Sequence, residues 1–134
     1  MSGASGRLAL LLSGRGSNLG AFLRAQAAGE LQGSVEVVIS NRPEAAGLKI
    51  AQDAGIATAV VDHTQYETRE AFDEVLAQKI DGFKPDVVVL AGFMRILTAT
   101  FVDRFRGQLI NFHPSLLPKY RGFNTHKRDL DGGE

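Results

Sequence analysis

The apolar runs of this 134-residue chain predict an α/β fold: an open, doubly wound, mostly parallel sheet of Rossmann-like type, about five strands being present. Three observations lead there. Short runs rich in valine, leucine and isoleucine alternate with stretches of helical periodicity, the signature of βαβ units with right-handed crossovers. The run Val87-Val88-Val89-Leu90 has no polar alternation, as a strand covered on both faces requires. Glycine and small polar residues gather just after the runs, where open α/β sheets place their ligands.

Strands are expected at 8–12, 35–39, 56–61, 86–91 and 109–112, with helices near 18–28, 43–54, 66–82 and 98–105 and a last one near 125–131. Gly29 and Gly55 stand where the first two helices should end. For the third helix, Thr64 and Glu67 form a capping-box pattern, and Phe72, Val75, Leu76, Ile80 and Phe83 follow helical spacing. Residues 1–6 are small and polar and read as a disordered start. Residues 7–134 read as one domain.

Composition narrows the function classes. Fifteen Lys+Arg against fifteen Asp+Glu give zero formal net charge, which disfavours bulk binding of nucleic acid or anionic membrane. There is no cysteine, so disulfides, thiolate metal sites and cysteine nucleophiles are excluded. The run 8–12 is too short to span a bilayer and no signal peptide is evident, so a cytoplasmic location is expected.

The chemistry sits in two places. The turn Ser13-Gly14-Arg15-Gly16-Ser17-Asn18 opens the first helix, and there Gly16, Ser17 and Asn18 can offer N–H groups to an anion at the positive helix end. The dinucleotide fingerprint fails, because Leu19 occupies its third small position and Ser40-Asn41-Arg42 stands where an acid should grip a ribose. A monophosphate ester is the expected ligand. An NADP half-site, with Arg42 facing a 2′-phosphate, is the alternative.

The second place is Asn111-Phe112-His113-Pro114-Ser115-Leu116-Leu117-Pro118. Residues two apart on a strand share a face, so Asn111 and His113 can together hold an oxyanion and move a proton, the needs of acyl transfer. Ser115 lacks a nucleophile elbow, so direct attack by a substrate amine is the better reading.

With the Ala91-Gly92-Phe93-Met94-Arg95-Ile96-Leu97 turn added, these motifs resemble the phosphoribosylglycinamide formyltransferase family of purine biosynthesis, from about Leu8 to the end. The resemblance implies transfer of a formyl group from 10-formyltetrahydrofolate, as co-substrate, to the amine of glycinamide ribonucleotide. No metal is implied, nor any nucleic-acid or membrane partner. It further implies that Gly16, Ser17 and Asn18 hold the substrate phosphate. Arg69, Met94, Arg95, Ile96, Leu97 and Asn111 would contact the folate, and Asn111 and His113 would be catalytic. Residues 7–134 would then be the N-terminal, nucleotide-binding part of a formyltransferase domain.

Family members continue beyond Glu134 into a His-Gly-x-Ser-Val-His strand and a loop with a catalytic aspartate. Neither is in this sequence, and Asp129 and Asp131 are not read as substitutes. The expectation is a C-terminally truncated chain that lacks activity alone. Alternatives are a methionyl-tRNA formyltransferase-like enzyme, which Arg121-Gly122 suits, and formyltetrahydrofolate hydrolase; a non-catalytic nucleotide-binding module is a further one.

Overall fold

A computed structural model describes residues 6–14, 16–31 and 33–112. The elements are β1 (Arg7–Leu12), α1 (Ser17–Ala27), β2 (Ser34–Ser40), α2 (Ala46–Asp53) and β3 (Ala57–Val60). A 3-10 turn, His63–Gln65, precedes α3 (Arg69–Phe83), β4 (Val87–Leu90), α4 (Ala99–Arg104) and β5 (Leu109–Asn111). His113, the Pro114–Pro118 loop, the helix expected at 125–131 and residues 1–5 lie outside the described residues.

The strands form one parallel sheet in the order β3-β2-β1-β4-β5. The chain first winds outward from β1 through β2 to β3, then returns to the far side of β1 with β4 and β5. The reversal falls between β1 and β4, which pair from Leu8↔Val87 to Leu11↔Leu90. Such a switch point opens a crevice at the carboxyl ends of the strands.

Alternation splits the core into two layers. Leu8, Leu10 and Leu12 of β1 pack with Val89, Leu19, Phe22, Leu48 and Ala51 on the face covered by α1 and α2. Ala9 and Leu11 pack with Val88, Phe72, Leu76, Ile80 and Phe101 on the face covered by α3 and α4. Every β1 residue from Leu8 to Leu12 is buried, which is why the run carries no polar alternation. Burying each such leucine contributes about 1.5–3 kcal/mol relative to exposure.

Helix ends follow the sequence closely in two cases. After α1, Gly29 (φ 82°) donates to Gln26 O while Glu30 N–H reaches Ala25 O; after α2, Gly55 (φ 78°) donates to Gln52 O and Ile56 N–H to Ala51 O. Both are Schellman closures, which need a left-handed residue and so favour glycine. The third helix differs from expectation. Its cap is Thr68, whose Oγ1 accepts from Ala71 N–H at 3.0 Å, and Thr64 and Glu67 lie before the helix. Asp62 has taken Thr64 instead: its carboxylate accepts from both the backbone N–H and the hydroxyl, and this local turn outcompetes the capping box.

Gly6 already extends the sheet, its carbonyl accepting from Ser34 N–H. No helix among the described residues is long and apolar enough to cross a membrane.

Candidate functional site

A cleft of about 310 Å³ opens at the switch point, lined by Gly14, Gly16, Ser17, Asn18, Ala91, Gly92 and Met94. One wall is the β1–α1 turn and the other is the segment leaving β4. Gly16 takes the N-cap position of α1 with φ 84°, a left-handed conformation that glycine adopts without strain. No side chain caps α1 among the described residues, and its first turn holds no acid. The N–H groups of the first turn are thus directed at the cleft with the positive end of the helix behind them. That arrangement suits a phosphate or carboxylate.

The two walls touch at their base. Gly92 also has positive φ (84°), and a Cβ there would stand 3.3 Å from Asn18 Nδ2. The β1–α1 turn is braced from behind by α2, where Gly47 N–H donates to Gly14 O at 3.2 Å.

Beneath the cleft runs a polar chain that single-residue reading missed. Met94 N–H donates to Ser13 Oγ at 2.8 Å, Ser13 Oγ–H donates to Asn41 Oδ1 at 2.6 Å, and Asn41 Nδ2 faces His63 Nδ1 at 3.2 Å. Ser13 and Asn41 are each 3% exposed, so these bonds satisfy groups that burial would otherwise penalise. His63 Nδ1 also lies 3.0 Å from Asn41 O, so that nitrogen has a partner whether or not it carries a proton. The chain ties together the ends of β1, β2, β3 and β4. Its sequence signal is a polar residue just past each buried apolar run: Ser13 directly after Leu12, Asn41 two residues after Ile39, and His63 two residues after the buried Val61.

Next to it, the hydrogen bonds from the Thr64 hydroxyl and, after it, the Thr64 backbone N–H hold the Asp62 carboxyl below its ordinary value of 3.8.

Of the residues expected to hold a phosphate, Gly16, Ser17 and Asn18 all line the cleft. Of those expected at a folate, Met94 lines it and is 81% exposed; Ile96, on the same turn, is 69% exposed. Arg95 is half-buried, its guanidinium 5.2 Å from the Phe72 ring centroid. Leu97 is half-buried against the α3/α4 core. Arg69 is the exposed first residue of α3, on the sheet face opposite α1.

Asn111 ends β5 in register with Leu90, one residue before the Ala91–Gly92 wall. Ile110 and Phe112 enter the α1/α2 core and Leu109 the α3/α4 core, so alternation sets Asn111 on the α3/α4 side of the rim. Phe112 locks this exit by packing edge-on against Phe22 of α1, ring centroids 5.1 Å apart. His113 lies outside the described residues. No group of three or more His, Cys, Asp or Glu side chains suited to a metal ion occurs among the described residues.

The chain is similar to known proteins along nearly its whole length. It is 48% identical over 127 residues to phosphoribosylglycinamide formyltransferase of Escherichia coli (strain K12), covering 95% of this chain and 60% of that protein. It is 44% identical over 127 residues to the Bos taurus trifunctional purine biosynthetic protein adenosine-3, of which it covers 13%. The chain therefore spans about 60% of the length of the bacterial relative. Among solved structures, phosphoribosylglycinamide formyltransferase from Coxiella burnetii superposes with a TM-score of 0.77 at 46% identity, over 97% of this chain and 61% of that one. Glycinamide ribonucleotide transformylase 1 from Symbiobacterium toebii gives 0.77 at 38% identity, over 99% and 63%. These structures agree with the parallel, doubly wound sheet. The family model described as formyl transferase matches residues 6–134, and the chain belongs to that family.

Proposed function

We propose that the cleft serves formyl transfer from 10-formyltetrahydrofolate to the amine of glycinamide ribonucleotide. One observation carries the reading: an uncapped helix N-terminus and an exposed apolar turn form opposite walls of one crevice, with Asn111 arriving one strand away. A phosphate suits the first wall and a flat pterin ring suits the second. Gly16, Ser17 and Asn18 hold the phosphate. Met94, Arg95, Ile96 and Leu97 face the folate, and Arg69 meets its acidic tail.

In the reaction the amine attacks the formyl carbon and the carbonyl oxygen takes up negative charge. Asn111 donates a hydrogen bond to that oxyanion, which is where a preorganised donor contributes most. His113 in its protonated form stabilises the same charge. The C–N bond to the folate then breaks, and the proton lost by the amine reaches the folate nitrogen through the imidazole. The place of work is the cytoplasm, where purine precursors are made.

Calorimetric titration of the chain tests the reading. Glycinamide ribonucleotide and tetrahydrofolate should each bind at one site, and NADP should not. Binding of NADP without either of the other two would overturn it.

A further inference from the structure

The exposed turn between β4 and α4 is held at both ends by buried side chains from elsewhere in the fold. At its start, Ser13 Oγ accepts from Met94 N–H at 2.8 Å; at its end, Asp73 Oδ2 on α3 accepts from Thr98 N–H at 2.7 Å. Ser13 is 3% exposed and Asp73 4%, whereas Met94 and Ile96 between them are 81% and 69% exposed. Arg95 over Phe72 and Leu97 against the α3/α4 core hold the inner side of the turn, but Met94 and Ile96 have little packing, so the two backbone anchors bear on how that outer side is set.

Ser13 takes over where strand pairing stops. Ala91 N–H still donates to Leu11 O at 2.8 Å, Ser13 N–H then donates to Gly92 O at 3.1 Å, and the Ser13 hydroxyl receives Met94. The hydroxyl is oriented by Asn41, to which its own proton is committed, and Asn41 is turned toward His63. Asp73 is bound by one oxygen only: Oδ1 is buried with no hydrogen-bond partner among the described residues. Half-satisfied buried carboxylates are costly, so the residue is explained by its bond to Thr98 rather than by the stability of α3.

We propose that Ser13 and Asp73 are positioning residues that fix the Met94–Thr98 segment over the cleft, with Asn41 and His63 setting the direction of the Ser13 hydroxyl. The proposal rests on the reading of that segment as the folate-facing wall. A one-ångström displacement of such a wall would move a bound ring away from the anion site and from Asn111.

The test compares Ser13→Ala and Asp73→Leu, which remove an acceptor, with Ser13→Thr and Asp73→Asn, which keep one. Amide exchange is followed by NMR in the 134-residue chain, with Leu76 as a control for global opening. Exchange should rise about tenfold at Met94 in Ser13→Ala and about tenfold at Thr98 in Asp73→Leu, with Leu76 unchanged and both restored in the conservative variants. Tetrahydrofolate affinity should fall about tenfold in the acceptor-less variants while ribose 5-phosphate affinity holds. Unchanged exchange at Met94 and Thr98, or equal loss of both ligands, would overturn the proposal. If Asp73→Leu does not fold, Met94 in Ser13→Ala decides. Faster exchange in a protein whose unaltered form binds no tetrahydrofolate would uphold the anchoring and sink the folate reading alone.

Discussion

Gly16 and Gly47 meet backbone to backbone, which locks the cleft-lining turn of β1–α1 onto the start of α2. A Cβ on Gly16 would stand 2.5 Å from Gly47 Cα, and a Cβ on Gly47 would stand 2.7 Å from Leu12 Cδ2 and 3.1 Å from Gly16 Cα. Gly47→Ala should therefore push α2 away from the turn, at a cost of about 1–3 kcal/mol from overpacking. Gly16→Ala should cost more, since it adds a strained positive φ to the same clash. Urea unfolding of both variants, with ribose 5-phosphate titration beside it, checks the order.

Asn18 lies in the cleft against Gly92, so a charge there can be changed without changing shape. Asn18→Asp should lower affinity for ribose 5-phosphate about tenfold, because a carboxylate would oppose the phosphate within the cleft. The loss should shrink as salt is raised. Calorimetry at two ionic strengths reads both effects.

Asn111→Ala removes the proposed oxyanion donor at the end of β5. In a chain extended through the family's His-Gly-x-Ser-Val-His strand and catalytic-aspartate loop, turnover of glycinamide ribonucleotide with 10-formyltetrahydrofolate should fall by about 10²–10³. Affinity for ribose 5-phosphate should stay as it was, since the anion wall belongs to β1 and α1. Steady-state kcat reads the first quantity and calorimetric titration with ribose 5-phosphate the second.

The Asp62 carboxyl should titrate below 3.8, held there first by the Thr64 hydroxyl and then by the Thr64 backbone N–H. A depressed folded-state pKa means that its stabilising contribution is present above 3.8 and disappears as pH falls through the lower folded value. Thr64→Val removes the stronger donor and should return the midpoint toward 3.8. NMR titration of the Asp62 carboxyl carbon follows the shift directly.

Much of this fold was legible residue by residue. The uninterrupted apolar runs gave strands buried on both faces, seen in β1 and in Val88 and Val89 packing into opposite layers. Gly29 and Gly55 marked helix ends because a left-handed turn is a local property of one residue. Local pattern failed at Thr64–Glu67, where two overlapping turn-formers competed and Asp62 captured the donors. That Gly16, Ser17 and Asn18 would line a cleft was also legible, since a glycine turn opening a helix is a contiguous motif.

The order of apolar and helical stretches settled, without coordinates, that this chain folds as a parallel α/β sheet, and it pointed to the strands' carboxyl ends, where the cleft opens. These are consequences of side-chain periodicity and backbone freedom, both written in neighbouring residues. Only the tertiary structure decided that β1 and β4 would be the strands flanking the cleft. It alone brought Ser13 to Met94, Asp73 to Thr98 and Gly16 to Gly47, pairs separated by 81, 25 and 31 positions. Contacts of that kind depend on how whole elements stack. No spacing along the chain encodes them.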